Sequence, residues 1–559
     1  MPAKHIFVTG GVVSGIGKGI VTSSIAKLIQ TQGYNVTAIK IDPYLNFDAG
    51  TMRPTEHGEV WVTPDGGEID QDLGNYERFL DIDIPKDNNI TSGKVYWNVL
   101  NKERKGEYLG KTVQPIPQVT NEIKDQIKNV AKKSKADFIV TEIGGTVGDY
   151  ENVLFLEAAR QLKTENGSVI FTHVTYLPVP GNIGEMKTKP TQHSFIQLME
   201  RGIQADLMIC RSENPVDKPR IEKISQFCNV DEDHVFTIPQ MDNIYEIPII
   251  LEKQNITKKI FDHLNRYERI KETSTSIESS LEYKVNAPDF VKWKNFIEDI
   301  KSLDKEVNIG IVGKYFKTGK YNLKDSYISV IEAIKHAAWN NKVKPVIDWI
   351  DSQDFEDSLE KLVNLDQLDG IIVPGGFGES GVEGKISTIK YARENKIPYL
   401  GLCLGMQLAV VDYARNVCDL PDAHTVEIDK NTKDPVVCIL PEQIIEMEKS
   451  NYGGTMRLGN WRAKLQTNTK VYGLYQTDNI SERHRHRYEV NPDYIKLLES
   501  KGLVFSGTSP KRKLMEFLEL PYHPYFVATQ SHPEFKSRPM KPAPMFDGLI
   551  KAAINKKYS

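Results

Sequence analysis

Two stretches of this sequence combine residue types that can do covalent chemistry and phosphate chemistry. In the first, Gly401-Leu402-Cys403-Leu404-Gly405 lies between an apolar run, Ile397 to Leu402, and a helical pattern that begins at Leu404. Small residues on both sides permit a sharp strand-to-helix turn that exposes the sulfur, and the helix N-terminus favours thiolate. Downstream, Ala528-Thr529-Gln530-Ser531-His532-Pro533-Glu534-Phe535 leaves a second apolar run. His532 is placed to take a thiol proton, and Glu534, two residues on, to orient the imidazole. Upstream, Val373-Pro374-Gly375-Gly376-Phe377-Gly378 offers backbone N–H groups for an oxyanion. A single Cys or His is usually a packed core residue. Three matching pieces at strand ends argue against both plain readings and for a nucleophilic cysteine with its own base.

The second stretch, Phe7-Val8-Thr9-Gly10-Gly11-Val12-Val13-Ser14-Gly15-Ile16-Gly17-Lys18-Gly19-Ile20, follows an apolar strand and opens a helix. Backbone N–H groups, the helix N-terminus and Lys18 together suit phosphate. The strict phosphate-loop pattern has Gly where Val12 stands and Ser or Thr where Gly19 stands. Without that hydroxyl, Mg²⁺ needs carboxylates from elsewhere. One source is Asp65-Gly66-Gly67-Glu68-Ile69-Asp70-Gln71-Asp72, in which Asp70 and Asp72 are alternatives. The other is Glu142, at the end of an apolar strand before Gly144-Gly145. Gly184-Glu185-Met186-Lys187-Thr188-Lys189-Pro190-Thr191-Gln192-His193-Ser194 is a second anion-binding candidate, with a solvated basic loop as the plainer reading.

Positioning these residues requires parallel α/β sheets. Short runs rich in β-branched residues alternate with helical patterns, and strands are expected at His5–Thr9, Val36–Ile41, Phe138–Glu142, Val169–Val174, Leu207–Cys210 and Val235–Ile238. A polar stretch, ERIKETSTSIESSLEYKV, interrupts the series after residue 268. A helical piece, Phe290–Leu303, follows. A second series then starts at Val307, with strands at Val346–Ile350, Gly370–Val373, Pro398–Leu402, Leu503–Ser506 and Tyr525–Thr529. The expectation is two doubly wound parallel-sheet domains, residues 1–268 and 306–559, joined by a linker with a short helix, 269–305. A chain of 559 residues is long enough for two cores.

Composition narrows the function. Seventy-one Lys and Arg against 75 Asp and Glu leave a net charge of −4, without the basic blocks of a nucleic-acid binder. Five scattered cysteines make neither a disulfide framework nor a zinc site. No apolar run reaches the length of a membrane span. A cytoplasmic metabolic enzyme is expected, with no nucleic-acid or membrane partner.

The quoted segments, with KIDPYLNFDAGTM, EHGEV, DLGNYERF, NKERKGEYLGKTVQ, EIGGTVGDYE and RHRHRYEVNP, resemble the CTP synthase family along nearly the whole chain. That resemblance implies an ATP-dependent amidoligase domain followed by a class I glutamine amidotransferase domain. Glutamine is then hydrolysed at Cys403, with His532 as base and Glu534 as orienter. Ammonia passes internally to a UTP whose O4 has been phosphorylated by ATP. The resemblance further implies that Gly15, Ile16, Gly17, Lys18, Gly19 and Ile20 cradle ATP, with Lys40 and Asp72 in contact, and that Asp72 and Glu142 hold Mg²⁺. Ser14, Asp149, Tyr150, Glu151, Lys187, Thr188, Lys189, Pro190, Thr191, Gln192 and Lys223 are implied for UTP or inhibitory CTP. Gly376, Leu404, Gly405, Met406, Gln407, Glu427 and Arg487 are implied for glutamine. GTP activation and a homotetramer, sometimes stacked into filaments, are implied as well. Two positions depart from the family pattern. Glu379-Ser380-Gly381 stands where a bulky residue and Arg-Gly are usual, and Ile238-Pro239-Gln240-Met241 replaces a more polar segment near the expected adenine site. Competing readings are a different ATP-dependent amidotransferase, or a non-catalytic protein of the same fold. The triphosphate-suited GEMKTKPTQHS segment with Lys223 argues against the first. The intact Lys18, Asp72, Glu142, Cys403, His532 and Glu534 argue against the second.

Overall fold

The structure, a computed structural model, describes residues 3–52, 58–181, 184–271, 280–314, 317–318, 321–322, 324–376, 378, 380–439, 456–510 and 514–559. The chain forms two compact units: Met1–Ala49 with Asp72–Glu298, and Gly50–Gln71 with Asp299–Ser559. Glu379 and the middle of the polar stretch, 272–279, lie outside the described residues.

The first unit is built on a seven-stranded sheet. Its order is Asn89–Thr91, Val36–Asp42, Phe138–Ile143, Lys4–Gly10, Val169–Leu177, Leu207–Ser212 and Val235–Pro239, parallel throughout. Strand side chains alternate between two apolar layers. Phe7, Ile39, Ile139 and Phe171 pack on one face, and Ile6, Val8, Val140 and Ile170 on the other. A sheet covered on both faces explains why these strands read as nearly continuous apolar runs. Register brings Glu142 opposite both Val8 and Lys40, at the carboxyl edge where the phosphate loop begins.

The second unit carries a nine-stranded sheet. Five strands are parallel, in the order Lys344–Asp351, Glu306–Gly313, Gly370–Val373, Tyr399–Leu402 and Phe526–Thr529. Four antiparallel strands extend it: Met515–Glu519, Val504–Thr508, Arg457–Leu465 and Asn479–His486. The run expected at Leu503–Ser506 belongs to this extension and not to the parallel series. A hairpin of Val60–Val62 and Glu68–Asp70 also packs in this unit, although it comes from the first part of the sequence. Trp61 at its centre is fully buried, edge-on to Phe535 with ring centroids 4.9 Å apart.

Candidate active site

The phosphate loop joins the strand Lys4–Gly10 to the helix Lys18–Thr31. Gly17 caps that helix in the left-handed region, at φ 85°, and Gly15 has φ 75°. Val12 also has φ 76°. It keeps the backbone shape of the glycine usual there, at a strain cost for a β-branched residue of about 1–3 kcal/mol. The Lys18 Nζ donates to the Gly145 carbonyl at 2.7 Å, which ties the loop to the segment after Glu142. Burial pushes the Lys18 amine below the usual lysine range, against the opposing pull of Glu142. Ile16 is buried beneath the loop, and its carbonyl accepts from Arg211 Nη1 at 3.0 Å. Gly19 and Ile20 begin the helix.

Lys40, Asp72 and Glu142 meet beside Gly19. Lys40 Nζ pairs with Asp72, with Glu142 Oε1 at 2.9 Å, and more distantly with Asp42 at 3.8 Å. The buried Tyr76 hydroxyl donates to the other Glu142 oxygen; burial, then Glu142, push that phenol well above its usual range. Two carboxylates converging at a phosphate loop are the hard oxygen donors that Mg²⁺ takes, and Lys40 supplies the countercharge here.

The residues implied for the uracil nucleotide lie on four pieces of the first unit. Ser14 is exposed at the crest of the phosphate loop. Asp149 is locked by the Thr146 N–H at 2.6 Å and the Thr146 hydroxyl at 2.8 Å, and Tyr150 and Glu151 beside it are exposed. Thr188 stands at the cap position of the helix Lys189–Glu200, whose second residue is Pro190. Gln192 donates to Thr188 at 3.2 Å, and Thr191 accepts from Thr175 at 2.9 Å. Lys187 pairs with Glu185, and Lys223 is exposed on the helix Lys218–Cys228. Arg220 fastens that helix to the loop through Met186 O at 3.0 Å and Glu185 at 3.2 Å. Pro239, of the departing adenine segment, ends the strand Val235–Pro239.

Cys403 caps the helix Leu404–Asn416 with φ 51° and ψ −102°, a strained turn that lifts its sulfur from the strand end. Glycine is required on both sides. A Cβ at 405 would meet Val373 O at 2.1 Å, and one at 401 would meet the Tyr399 hydroxyl at 2.6 Å. His532 Nδ1 lies 2.7 Å from Glu534 Oε1. Burial by itself lowers the imidazole, but Glu534 and then Cys403 overcome it and raise His532 to about 10. A Cβ on Gly375 would come within 3.0 Å of the His532 ring and 3.5 Å of Cys403 Cβ.

The Cys403 side chain borders two cavities. One is lined by Gly376, Leu404, Gln407, Glu427, His486, Arg487 and Tyr488, which brings together five of the seven residues implied for glutamine. Gly405 and Met406 are buried in the helix behind it. The Glu427 carboxyl is raised by burial, opposed by the Gly378 N–H, Lys314 and Arg487. The other cavity lies between His532, Gly375 and Tyr327, with Glu59 and Val60 of the hairpin in its wall.

Sequence reasoning missed several of these residues. Tyr76, Arg485 and the hairpin wall at Glu59 and Val60 fall in segments that carry the resemblance, but no role was read for them, and Arg220 lies outside those segments. A buried chain of Thr9, His173 and Ser194 (2.9 Å and 2.6 Å) also went unread. It links the phosphate-loop strand to the helix Lys189–Glu200, with His173 lowered by burial to about 3 and therefore neutral.

Comparison with known proteins bears on the whole chain. The model of the CTP synthase N-terminus matches residues 4–266, and that of the class-I glutamine amidotransferases matches residues 322–552. The chain is 51% identical to a CTP synthase of Methanococcus maripaludis, covering 99% of this chain and 100% of that protein. It is 52% identical to one of Methanocaldococcus jannaschii and 53% identical to one of Thermococcus gammatolerans, with 99% of each chain covered. Among solved structures, the glutaminase domain of Trypanosoma brucei CTPS with bound acivicin is 37% identical, covering 45% of this chain and 96% of that one, at a TM-score of 0.42.

Proposed function

Since this chain belongs to the CTP synthase family, we propose a residue-by-residue division of its reaction between the two units. The enzyme is a glutamine-hydrolysing ligase that makes CTP from UTP, ATP and glutamine. Along the sequence we assign residues 1–268 to the amidoligase part, 269–305 to the connection and 306–559 to the amidotransferase part.

In the second unit, Cys403 gives its proton to His532 and attacks the glutamine carboxamide carbon. The N–H groups of the Gly375-Gly376 loop face the oxyanion. His532 returns the proton as the C–N bond breaks, ammonia leaves, and water releases glutamate from the thioester. The observation that carries this reading is the position of Cys403 between two cavities. Glu427 and Arg487 suit the amino and carboxylate groups of glutamine on one side. The hairpin-walled cavity on the other side receives ammonia away from bulk water.

In the first unit, the loop Gly15–Ile20 and Lys18 hold the ATP phosphates, and Lys40 orders the Asp72 and Glu142 carboxylates. Asp72 and Glu142 would hold Mg²⁺, which supplies charge neutralisation on the phosphates when bound. Ser14, Asp149–Glu151, Lys187–Gln192 and Lys223 bind UTP, and CTP when it inhibits. The uracil O4 attacks the γ-phosphorus of ATP and releases ADP. Ammonia then adds at C4, and phosphate leaves with its oxygen.

GTP as activator, assembly as a tetramer and into filaments, and a cytoplasmic location complete the reading. Trp97, Leu100, Ile196 and Met199 are exposed apolar side chains of the first unit and support assembly through that unit. Among the described residues, no helix is long and apolar enough to cross a membrane.

The test is ultraviolet absorbance during incubation with UTP, ATP and Mg²⁺, supplied with ammonia or with glutamine, with and without GTP. CTP formation from both nitrogen sources is expected. No product from either source, with folded protein, would reject the reading.

A further inference from the structure

The strand Phe526–Thr529 ends one residue before Gln530. The Gln530 side chain is fully buried, and the reaction as assigned above gives it no part. Its main-chain N–H donates at 2.9 Å to the carbonyl of Glu516, on the neighbouring strand Met515–Glu519. Its amide nitrogen, Nε2, donates to Cys403 Sγ at 3.7 Å. The main-chain N–H of Cys403 in turn donates to Thr529 O at 2.8 Å, so the nucleophile and this amide hang from adjoining points of the sheet. Sulfur accepts a hydrogen bond weakly while it is neutral and much more strongly when it carries charge.

The amide can face the sulfur only one way. Gln407 Nε2 lies 3.1 Å from Tyr488 O and 3.3 Å from Gln530 Oε1. A main-chain carbonyl only accepts, so the Gln407 amide must turn its NH2 group toward Tyr488. The same NH2 group meets Gln530, which must answer with its oxygen. Reversing Gln530 would set one NH2 group against another and put an oxygen against the sulfur. Gln530 therefore turns an N–H toward Cys403, and Gln407 holds it that way round. Cys403 Sγ also donates to the Arg485 carbonyl, at 3.8 Å. That oxygen suits the neutral thiol and opposes negative charge on the sulfur. The Gln530 N–H does the reverse.

We infer that Gln530 is a further catalytic residue, which stabilises the sulfur as it leaves the glutamyl thioester. The inference rests on the thioester chemistry proposed above for Cys403 and His532. In that step the water oxygen attacks the thioester carbonyl carbon, and one water proton goes to His532. A C–O bond forms, the C–S bond breaks, and its electron pair stays on Sγ. The other water proton leaves as the new glutamate carboxyl ionises. Negative charge grows on the sulfur as the C–S bond breaks. A hydrogen bond already aimed at it lowers that barrier without reorganisation. When the thioester forms, the sulfur gives up charge as the C–S bond closes, so the same N–H contributes less there. Gln530 thus acts on the release of glutamate more than on the capture of glutamine.

The experiment uses the full chain with Gln530→Met, which keeps the length of the side chain and removes its N–H. Labelled glutamine is mixed with the enzyme, chased with unlabelled glutamine and quenched in acid, and protein-bound label is followed in time. Loss of label should slow about tenfold, the size expected for one hydrogen bond to a charged acceptor. The kcat/KM for glutamine hydrolysis reports the steps up to thioester formation and should fall less than about threefold, so that kcat and KM fall together. Label lost at the unaltered rate overturns the inference. A fall in kcat/KM as large as the slowing, or no bound label in either protein, overturns it as well. If Gln530→Met does not fold, Gln530→Asn is measured instead. It keeps the amide but withdraws it by one methylene, and an unchanged rate of label loss there overturns the inference equally. Cys403→Ala separates the two readings: label that still binds covalently in that variant strikes the thioester itself, and not only the part given to Gln530.

Discussion

The Asp72 carboxylate occupies the space that a side chain at Gly19 would need. A Cβ at residue 19 would lie 2.5 Å from Asp72 Oδ1 and 3.4 Å from Glu142 Oε2. Phosphate loops usually place a Ser or Thr hydroxyl there for the metal. Here two carboxylates stand in its place, and the glycine is the room they require. Gly19→Ser should displace Asp72 and lower CTP formation from either nitrogen source by about 100-fold or more, as expected when preorganised charge around phosphate is disturbed. Nucleotide-free glutamine hydrolysis should persist. Near-normal synthesis by this variant would show that Asp72 does not serve the phosphate site.

The two units predict opposite losses. Cys403→Ala removes the nucleophile and should abolish glutamine-dependent synthesis while ammonia still yields CTP. Lys18→Ala removes the charge that ties the phosphate loop to Gly145 and should abolish synthesis from both sources. Initial rates with each nitrogen source decide the matter. Loss of ammonia-dependent synthesis in Cys403→Ala would mean that Cys403 serves more than glutamine hydrolysis.

Legibility followed locality. The strand Phe138–Ile143 was readable because a buried parallel strand is apolar on both faces and ends at Gly-Gly. The turn at Cys403 was readable because its steric demand falls on neighbours two residues away. The strands Arg457–Leu465 and Asn479–His486 were not, since their polar residues are buried at the expense of distant partners. Arg457, for example, pairs with Glu489 at 3.1 Å and with Glu516 at 2.7 Å. The hairpin was hidden for the same reason. Its strands are three residues long, and the contact that binds Val62 to Arg483 spans 421 positions. Tyr76 sits in the quoted segment DLGNYERF and His173 in a plain strand, and only the fold reveals what either touches.

Lys385 offers a test of burial energetics. It is fully buried on the helix Val382–Glu394, and its Nζ has no hydrogen-bond partner among the described residues. Burial, and then Lys314, lower its amine from 10.5 to about 7. The unfolded chain therefore binds an extra proton between about pH 7 and 10.5, so this residue destabilises most below pH 7 and not at all above the unfolded value. Lys385→Met should raise the melting temperature near pH 7 and change it much less near pH 10. A gain of equal size at both pH values would mean that the variant acts through packing alone.

His532 titrates in the opposite sense. Its folded value, about 10, lies above the ordinary imidazole value of 6.5. Its contribution to stability is therefore complete below about pH 6.5 and is lost as pH rises through about 10. Glu534, at 2.7 Å, is the strongest of the influences that raise it. In Glu534→Gln the imidazolium should be lost at lower pH, and the pH window of that stabilisation should shrink. Melting temperatures of Glu534→Gln and the unaltered enzyme should therefore diverge as pH rises from about 6.5 towards about 10. A pH profile of stability equal to that of the unaltered enzyme would mean that Glu534 orients the ring without holding its proton.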